Sequence, residues 1–271
     1  MIDTHRKARS GGGVRLLVVA ALSLVPAALL SQTPHVRLSN NDVKHLMEQV
    51  EDHRGEFQDH LDSSIKDSKL RSADGEVDVS AYLHDYEENV HKMKDRFNDD
   101  YAASTEVQTV LRQATVMDTR MRTQAMSTKG RSEWDREAAS LKTLAEAYGT
   151  TFPLPDGAPV RRYNDKEVAK AADDLANAAD HFKDNVDKSD AISKGDRESA
   201  KKDVDGLRKL ADDVKSRCED GKPATAEFDQ LSTLYSRVQS WVSTHPAPLA
   251  TADWTNMQAH MDILRHAFSA R

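Results

Sequence analysis

The chain of 271 residues has one cysteine, Cys218. One cysteine excludes an internal disulfide. No cysteine stands near the N-terminus, so the lipid-attachment residue of a bacterial lipoprotein is missing as well. Glycine and proline are scarce, at 11 and 8, and aromatic residues make up 6% of the chain. No useful length of sequence alternates apolar and polar residues with the Val, Ile, Thr and aromatic bias of a strand. These shortages argue against a sheet-rich body. Chemistry-bearing motifs are lacking too: there is no glycine-rich phosphate loop, nucleophile elbow, paired-cysteine zinc pattern or zincin motif. Carboxylates are abundant, but nothing sets a glycosidase-like separation between two of them. No cofactor and no enzymatic activity are expected.

What the chain does have is charge, 31% of residues against 38% hydrophobic. That mixture suits helices with wide solvated faces and narrow apolar seams. The formal net charge is −7. The first 31 residues contribute Arg6, Lys7, Arg9 and Arg15 against Asp3, so the remainder holds 34 basic and 44 acidic residues, a balance of −10. An acidic body repels phosphate backbones. Lys and Arg are interspersed with Asp and Glu, so no basic patch for nucleic acid is expected.

The N-terminus is ordered like a secretory signal peptide. A basic, glycine-bearing stretch over 5–15 precedes the apolar run LLVVAALSLVPAALL at 16–30, and polar Ser31, Gln32 and Thr33 follow. The run contains Pro26 and falls short of the about 20 residues a spanning helix needs. Residues 1–31 are therefore expected to be a signal peptide, the protein to be exported to the periplasm or beyond, and no membrane span to remain after cleavage.

Self-comparison is the most informative step. Val107, Val110, Ala114, Met117 and Met121 align with Phe228, Leu231, Tyr235, Val238 and Val242 at a constant offset of 121. Both sets are spaced 3, 4, 3, 4, the apolar seam of a helix in a bundle. Trp134, Leu141, Leu144 and Tyr148 align with Trp254, Met261, Leu264 and Phe268 at 120. Leu83, Tyr86, Met93 and Phe97 align with Val204, Leu207, Val214 and Cys218 at 121, and Val43 and Phe57 with Val168 and Phe182 at 125. The fold expected is all-α. An internal duplication gives two tandem four-helix, up-down-up-down bundles: repeat 1 at 36–149, a Pro- and Gly-rich linker at 150–160, and repeat 2 at 161–271. The helices are expected at about 40–69, 76–99, 104–124 and 132–148, then 164–191, 196–220, 224–243 and 251–269. One elongated bundle with merged or exchanged helices is the other arrangement the pattern permits.

Candidate ligands lie in repeat 1. Extending the seam of the first helix places His53 and His60 on its apolar stripe, about 10.5 Å apart along the axis. His84, Glu88 and His91 on the second helix are the available partners, and Glu88 to His91 has the Glu-x-x-His spacing of bundle di-iron sites. A metal- or haem-binding bundle using these five residues is one expectation, set beside the plainer reading of histidines at the wet edge of a seam. Cys218 takes a seam slot and reads as a small buried hydrophobe. The repeats keep their seam positions while polar positions drift, which maintains a scaffold and not one shared catalytic site. The leading expectation is a non-enzymatic structural or protein-interaction role in the bacterial periplasm or envelope, with a protein or envelope component as partner. A periplasmic chaperone or stress protein is the further alternative.

Overall fold

A computed structural model describes residues 37–72, 75–245 and 247–269. The expected signal peptide at 1–31 lies outside the described residues. The chain is mostly helical, as its seams require.

Helix α1 (Asn40–His60) opens on a capping box: the Ser39 hydroxyl accepts from the Asp42 N–H, and the Asp42 carboxylate accepts from the Ser39 N–H. Two free backbone donors are thereby satisfied at once. The helix ends at His60, where Leu61 turns extended. A single turn, α2 (Ser63–Lys66), follows, and then a hairpin of β1 (Lys69–Ser72) and β2 (Gly75–Asp78). The hairpin corrects the expected helices at 40–69 and 76–99. Leu70 pairs with Val77, and these two lie against the core while their neighbours face water. Gly75, at φ +122°, takes a backbone conformation that residues with a Cβ rarely adopt. Short alternation of this kind is too brief to stand out in the sequence.

Helices α3 (Val79–Arg96), α4 (Ser104–Thr123) and α5 (Thr128–Ala147) complete the first half. Helix α1 packs on α3 and α5, and α4 on the same two, so the four close into a ring. Their seams meet in one apolar cluster running from Val43 to Leu154. Full burial of side chains such as Phe57 or Leu144 stabilises the fold by about 1.5–3 kcal/mol each.

The second half holds α6 (Asp165–Asp187), α7 (Lys194–Glu219), α8 (Thr225–Thr244), a 3₁₀ turn at Pro248–Ala250 and α9 (Thr251–Phe268). Helix α6 also opens on a capping box, with Asn164 and Glu167 in the two roles. It packs on α7 and α9, and α7 packs on α8. The α6 face is rich in small side chains (Ala169, Ala171, Ala172, Ala176, Ala178 and Ala179 are all buried), which lets neighbouring helices approach closely. A second apolar cluster runs from Val168 to Phe268 and shares no residue with the first.

Residues 150–160 form a strap pinned to the first half. Leu154 is buried there, Phe152 packs against the same core, and the Leu154 N–H donates to Thr115 Oγ1 at 2.8 Å. Among the described residues, no helix is long and apolar enough to cross a membrane.

Candidate functional site

The five expected ligands of repeat 1 do not converge. His53 Nδ1 lies 2.8 Å from Ser140 Oγ on α5, and His60 Nδ1 lies 2.8 Å from the Glu56 carbonyl of its own helix. His84 and Glu88 sit 3.6 Å apart along an exposed face of α3. His91 reaches across to Glu51 of α1 at 3.1 Å, where Lys94 also pairs. Among the described residues, no group of three His, Cys, Asp or Glu side chains is placed to hold a metal ion. Cys218 is buried, and burial pushes its thiol up to about 11, far from the range of a reactive thiolate.

A buried polar cluster was not expected from the sequence. Glu137 of α5 is fully buried, and Tyr86 of α3 donates to its Oε1 at 2.6 Å. The α1 residue Arg54, also buried, bonds to Gln58 at 2.6 Å and Glu87 at 3.0 Å. Burial pushes the Glu137 carboxyl up to about 8, against the pull of the Tyr86 hydrogen bond and the Arg54 charge. Glu137 Oε2 has no hydrogen-bond partner among the described residues. Nearby, Trp134 Nε1 donates to buried Asp118 at 3.1 Å. Glu137, Tyr86 and Arg54 lie inside the first half, and the partly buried Gln58 and Glu87 close the cluster toward its surface.

The densest set of buried polar contacts lies where the two halves meet, at the N-termini of α1 and α6. Arg37 Nη1 donates to Asp165 Oδ1 at 2.7 Å, and its Nη2 donates to the Tyr163 carbonyl at 2.9 Å. Coming the other way, Arg162 Nη2 donates to the Leu38 carbonyl at 2.7 Å and reaches Asn40 Oδ1 at 3.4 Å. The Asn40 N–H donates to Asp165 Oδ2 at 2.7 Å, and the Asp165 N–H donates to Asn40 Oδ1 at 3.2 Å. The Arg37 N–H donates to Thr225 Oγ1 at 3.1 Å, and the Arg162 N–H to Ser104 Oγ at 3.4 Å. Both guanidinium side chains are 3% exposed, which makes their charge-assisted bonds strong and their loss costly. Among the described residues, Asp165 is the carboxylate within 4.0 Å of both, at 2.7 Å from Arg37 and 4.0 Å from Arg162, while the Asp42 charge also acts on Arg162. Burial, with Arg37 beside it, pushes the Arg162 guanidinium down to about 10.

A scan of protein-family models, a search of curated proteins and a search of solved structures each give no match to this chain.

Two of the clefts among the described residues flank the junction. One, of about 550 Å³, is lined by Asn40, Asn41, Asp99, Asp165, Lys215 and Cys218 among others. The other, of about 350 Å³, includes Tyr148, Arg161, Arg162, Tyr163 and His266. Around the first, the lysines are committed to ion pairs: Lys166 with Asp100, Lys170 with Asp174 and Lys215 with Asp173. The arrangement binds one half of the chain to the other. Its residues escaped sequence reasoning, although one signal was available. The 125 offset that relates Val43 to Val168 also relates Arg37 to Arg162, Ser39 to Asn164, Asn40 to Asp165 and Asp42 to Glu167.

Proposed function

We propose that this chain is an exported, non-enzymatic scaffold of the bacterial periplasm or envelope. In this reading it is built as two tandem up-down-up-down four-helix bundles from an internal duplication, and it works by holding a protein or envelope partner. The observation that carries the reading is the junction: the most deeply buried charged groups of the N-terminal helix ends bond one half to the other, in contacts that run both ways. Chemistry invested in this manner fixes the relative placement of two surfaces. The seam pairs support the duplication. Phe57 and Trp134 pack with ring centroids 5.0 Å apart and planes tilted 58°, and their counterparts Phe182 and Trp254 lie 6.0 Å apart and tilted 53°. Arg96 pairs with Glu106 at 2.6 Å, and Arg217 with Glu227 at 3.0 Å, both at the 121 offset. The basic, apolar and polar order of residues 1–33 supports export.

The test is cell fractionation with sequencing of the mature N-terminus, followed by an activity screen. An exported chain beginning near residue 32 and inert toward common hydrolase substrates is the expected result. A full-length cytosolic chain sinks the export reading, and turnover abolished by one side-chain change sinks the scaffold reading.

A further inference from the structure

The junction contacts form matched pairs, and the offsets of the seam alignment make the matching explicit. Arg37 bonds the Tyr163 carbonyl while Arg162 bonds the Leu38 carbonyl, and 38 and 163 are counterparts, as 37 and 162 are. The Asn40 and Asp165 N–H groups each donate to the other's side chain. Thr225, which accepts from Arg37, is the counterpart at 121 of Ser104, which accepts from Arg162. A Cβ on Gly221 would meet Asn41 Nδ2 at 2.8 Å, while Asp100, its counterpart, pairs with Lys166, the counterpart of Asn41. The Arg37 guanidinium lies 5.6 Å from the Phe268 ring centroid, and Tyr148, the counterpart of Phe268, feels the charge of Arg162. When residue i touches j′ and j touches i′ throughout, the interface is isologous, the signature of a two-fold axis.

We infer that the two halves face each other across a local two-fold axis, that the single chain reproduces the arrangement of an isologous dimer, and that Asn40 marks the half-site lacking its carboxylate. This rests on the duplication read above. One half-site is complete: Arg37 meets Asp165 at 2.7 Å. In the other, Arg162 meets a neutral amide at 3.4 Å and shares Asp165 from 4.0 Å. Among the described residues, the two buried guanidinium groups thus share one ion-pair carboxylate, with the exposed Asp42 acting on Arg162 from farther away. A second carboxylate at position 40 would restore the symmetry of charge at the cost of the long 3.5 Å bond that Asn40 Nδ2 donates to Asp99, whose exposed position lets solvent screen the repulsion. It would also stand at the first residue of α1, where a negative charge is favoured by the helix dipole.

Urea unfolding of the full chain, read by far-ultraviolet circular dichroism, tests this with Asn40→Asp, alone and with Arg162→Ala. Asn40→Asp is expected to raise the midpoint, and Arg162→Ala to abolish that gain. Asn41→Asp, one residue on and exposed, reports the helix-dipole contribution, and its effect is expected to ignore Arg162. A midpoint that stays level or falls with Asn40→Asp, or a gain that survives Arg162→Ala, overturns the inference. Should Asn40→Asp not fold, Asp165→Asn serves instead. In the natural chain Arg37→Ala is expected to lower the midpoint more than Arg162→Ala, and Asp165→Asn is expected to make the two losses equal. Losses that remain unequal overturn the inference. None of these variants touches the seam pairs Phe57/Phe182 or Trp134/Trp254. The duplication fails separately, if exchanging the Phe57–Trp134 and Phe182–Trp254 pairs for unmatched aliphatic pairs leaves stability unchanged in one half and collapses the other.

Discussion

Where the first half buries Arg54, Tyr86 and Glu137 together, the second carries Ala179, Leu207 and Met257 at the corresponding positions, all three inaccessible to solvent. Asp118, which accepts from Trp134 inside the first half, has Gln239 as its counterpart, and Trp254 is only partly buried. On the proposed duplication, one helical frame thus tolerates a polar core and an apolar one. The polar core needs every member in place, because removing one partner leaves another uncompensated. The apolar core is filled by alanine on α6 and by Met257, Met261 and Leu264 on α9, and it has no such dependence. One half is tuned by proton and charge, the other by volume.

The sharpest way to break this comparison is to move the carboxylate. Met257→Glu places an acid where no tyrosine donor waits, and it is expected to cost about 5 kcal/mol in chemical denaturation at pH 8. Adding Leu207→Tyr should recover part of that loss. A cost below about 1 kcal/mol would mean that the second core is wetter than its burial implies.

Next in size is the pH response of Glu137. Its carboxyl is raised to about 8 in the folded chain, so the folded state holds its proton longer than the unfolded one. Stability is then level below the ordinary carboxylate range, falls as pH rises from there to about 8, and levels again above. Between pH 5 and 9 the fall amounts to roughly 4 kcal/mol. Glu137→Gln keeps an acceptor for Tyr86 and should remove that fall, as the difference between variant and natural stability curves measured from pH 5 to 9. A difference that stays flat defeats the assignment.

Smaller still, Trp134→Phe strips buried Asp118 of a donor and should cost about 2 kcal/mol, against under about 1 kcal/mol for Trp254→Phe. Equal costs would erase the distinction between the two cores. The least effect belongs to the residues that lead into α4 and α8. Ala103 sits at φ +49°, in the left-handed region, whereas its counterpart Ala224 sits at φ −121°. Ala103→Gly should stabilise by about 0.5–1 kcal/mol, while Ala224→Gly should be neutral or destabilising in thermal melts.

The seams were legible because burial imposes a period on every helix that packs, and Val43, Phe57, Val110 and Leu141 sit at full burial on schedule. The carboxylate in the first core was missed, although its signal was present. Glu137 falls between Trp134 and Leu141 on the same 3-4 spacing, in a slot that should be apolar. The histidines illustrate the limit of that method. Seam extension put His53 on the stripe, where it is half-buried against Ser140, but the residue drawn inside was Arg54 beside it. A stripe has width, and a period alone does not decide which side of it a long side chain takes. The junction arginines stayed hidden for another reason: in a chain with charges on nearly every turn, nothing local marks the two whose partners lie more than a hundred residues away. The hairpin was missed because its strands are four residues long each.

The strap also governs how the two halves associate. It leaves the first half at Tyr148 and is fastened back there by the Arg161 N–H on the Tyr148 carbonyl at 3.1 Å, one residue before Arg162. The second half is thereby held on a very short leash, and its docking is an intramolecular event whose effective concentration lies in the millimolar range or above. Surfaces too weak to pair as separate molecules can stay engaged under those conditions, at any dilution. Cutting the leash would turn a permanent arrangement into one that depends on how crowded its compartment is.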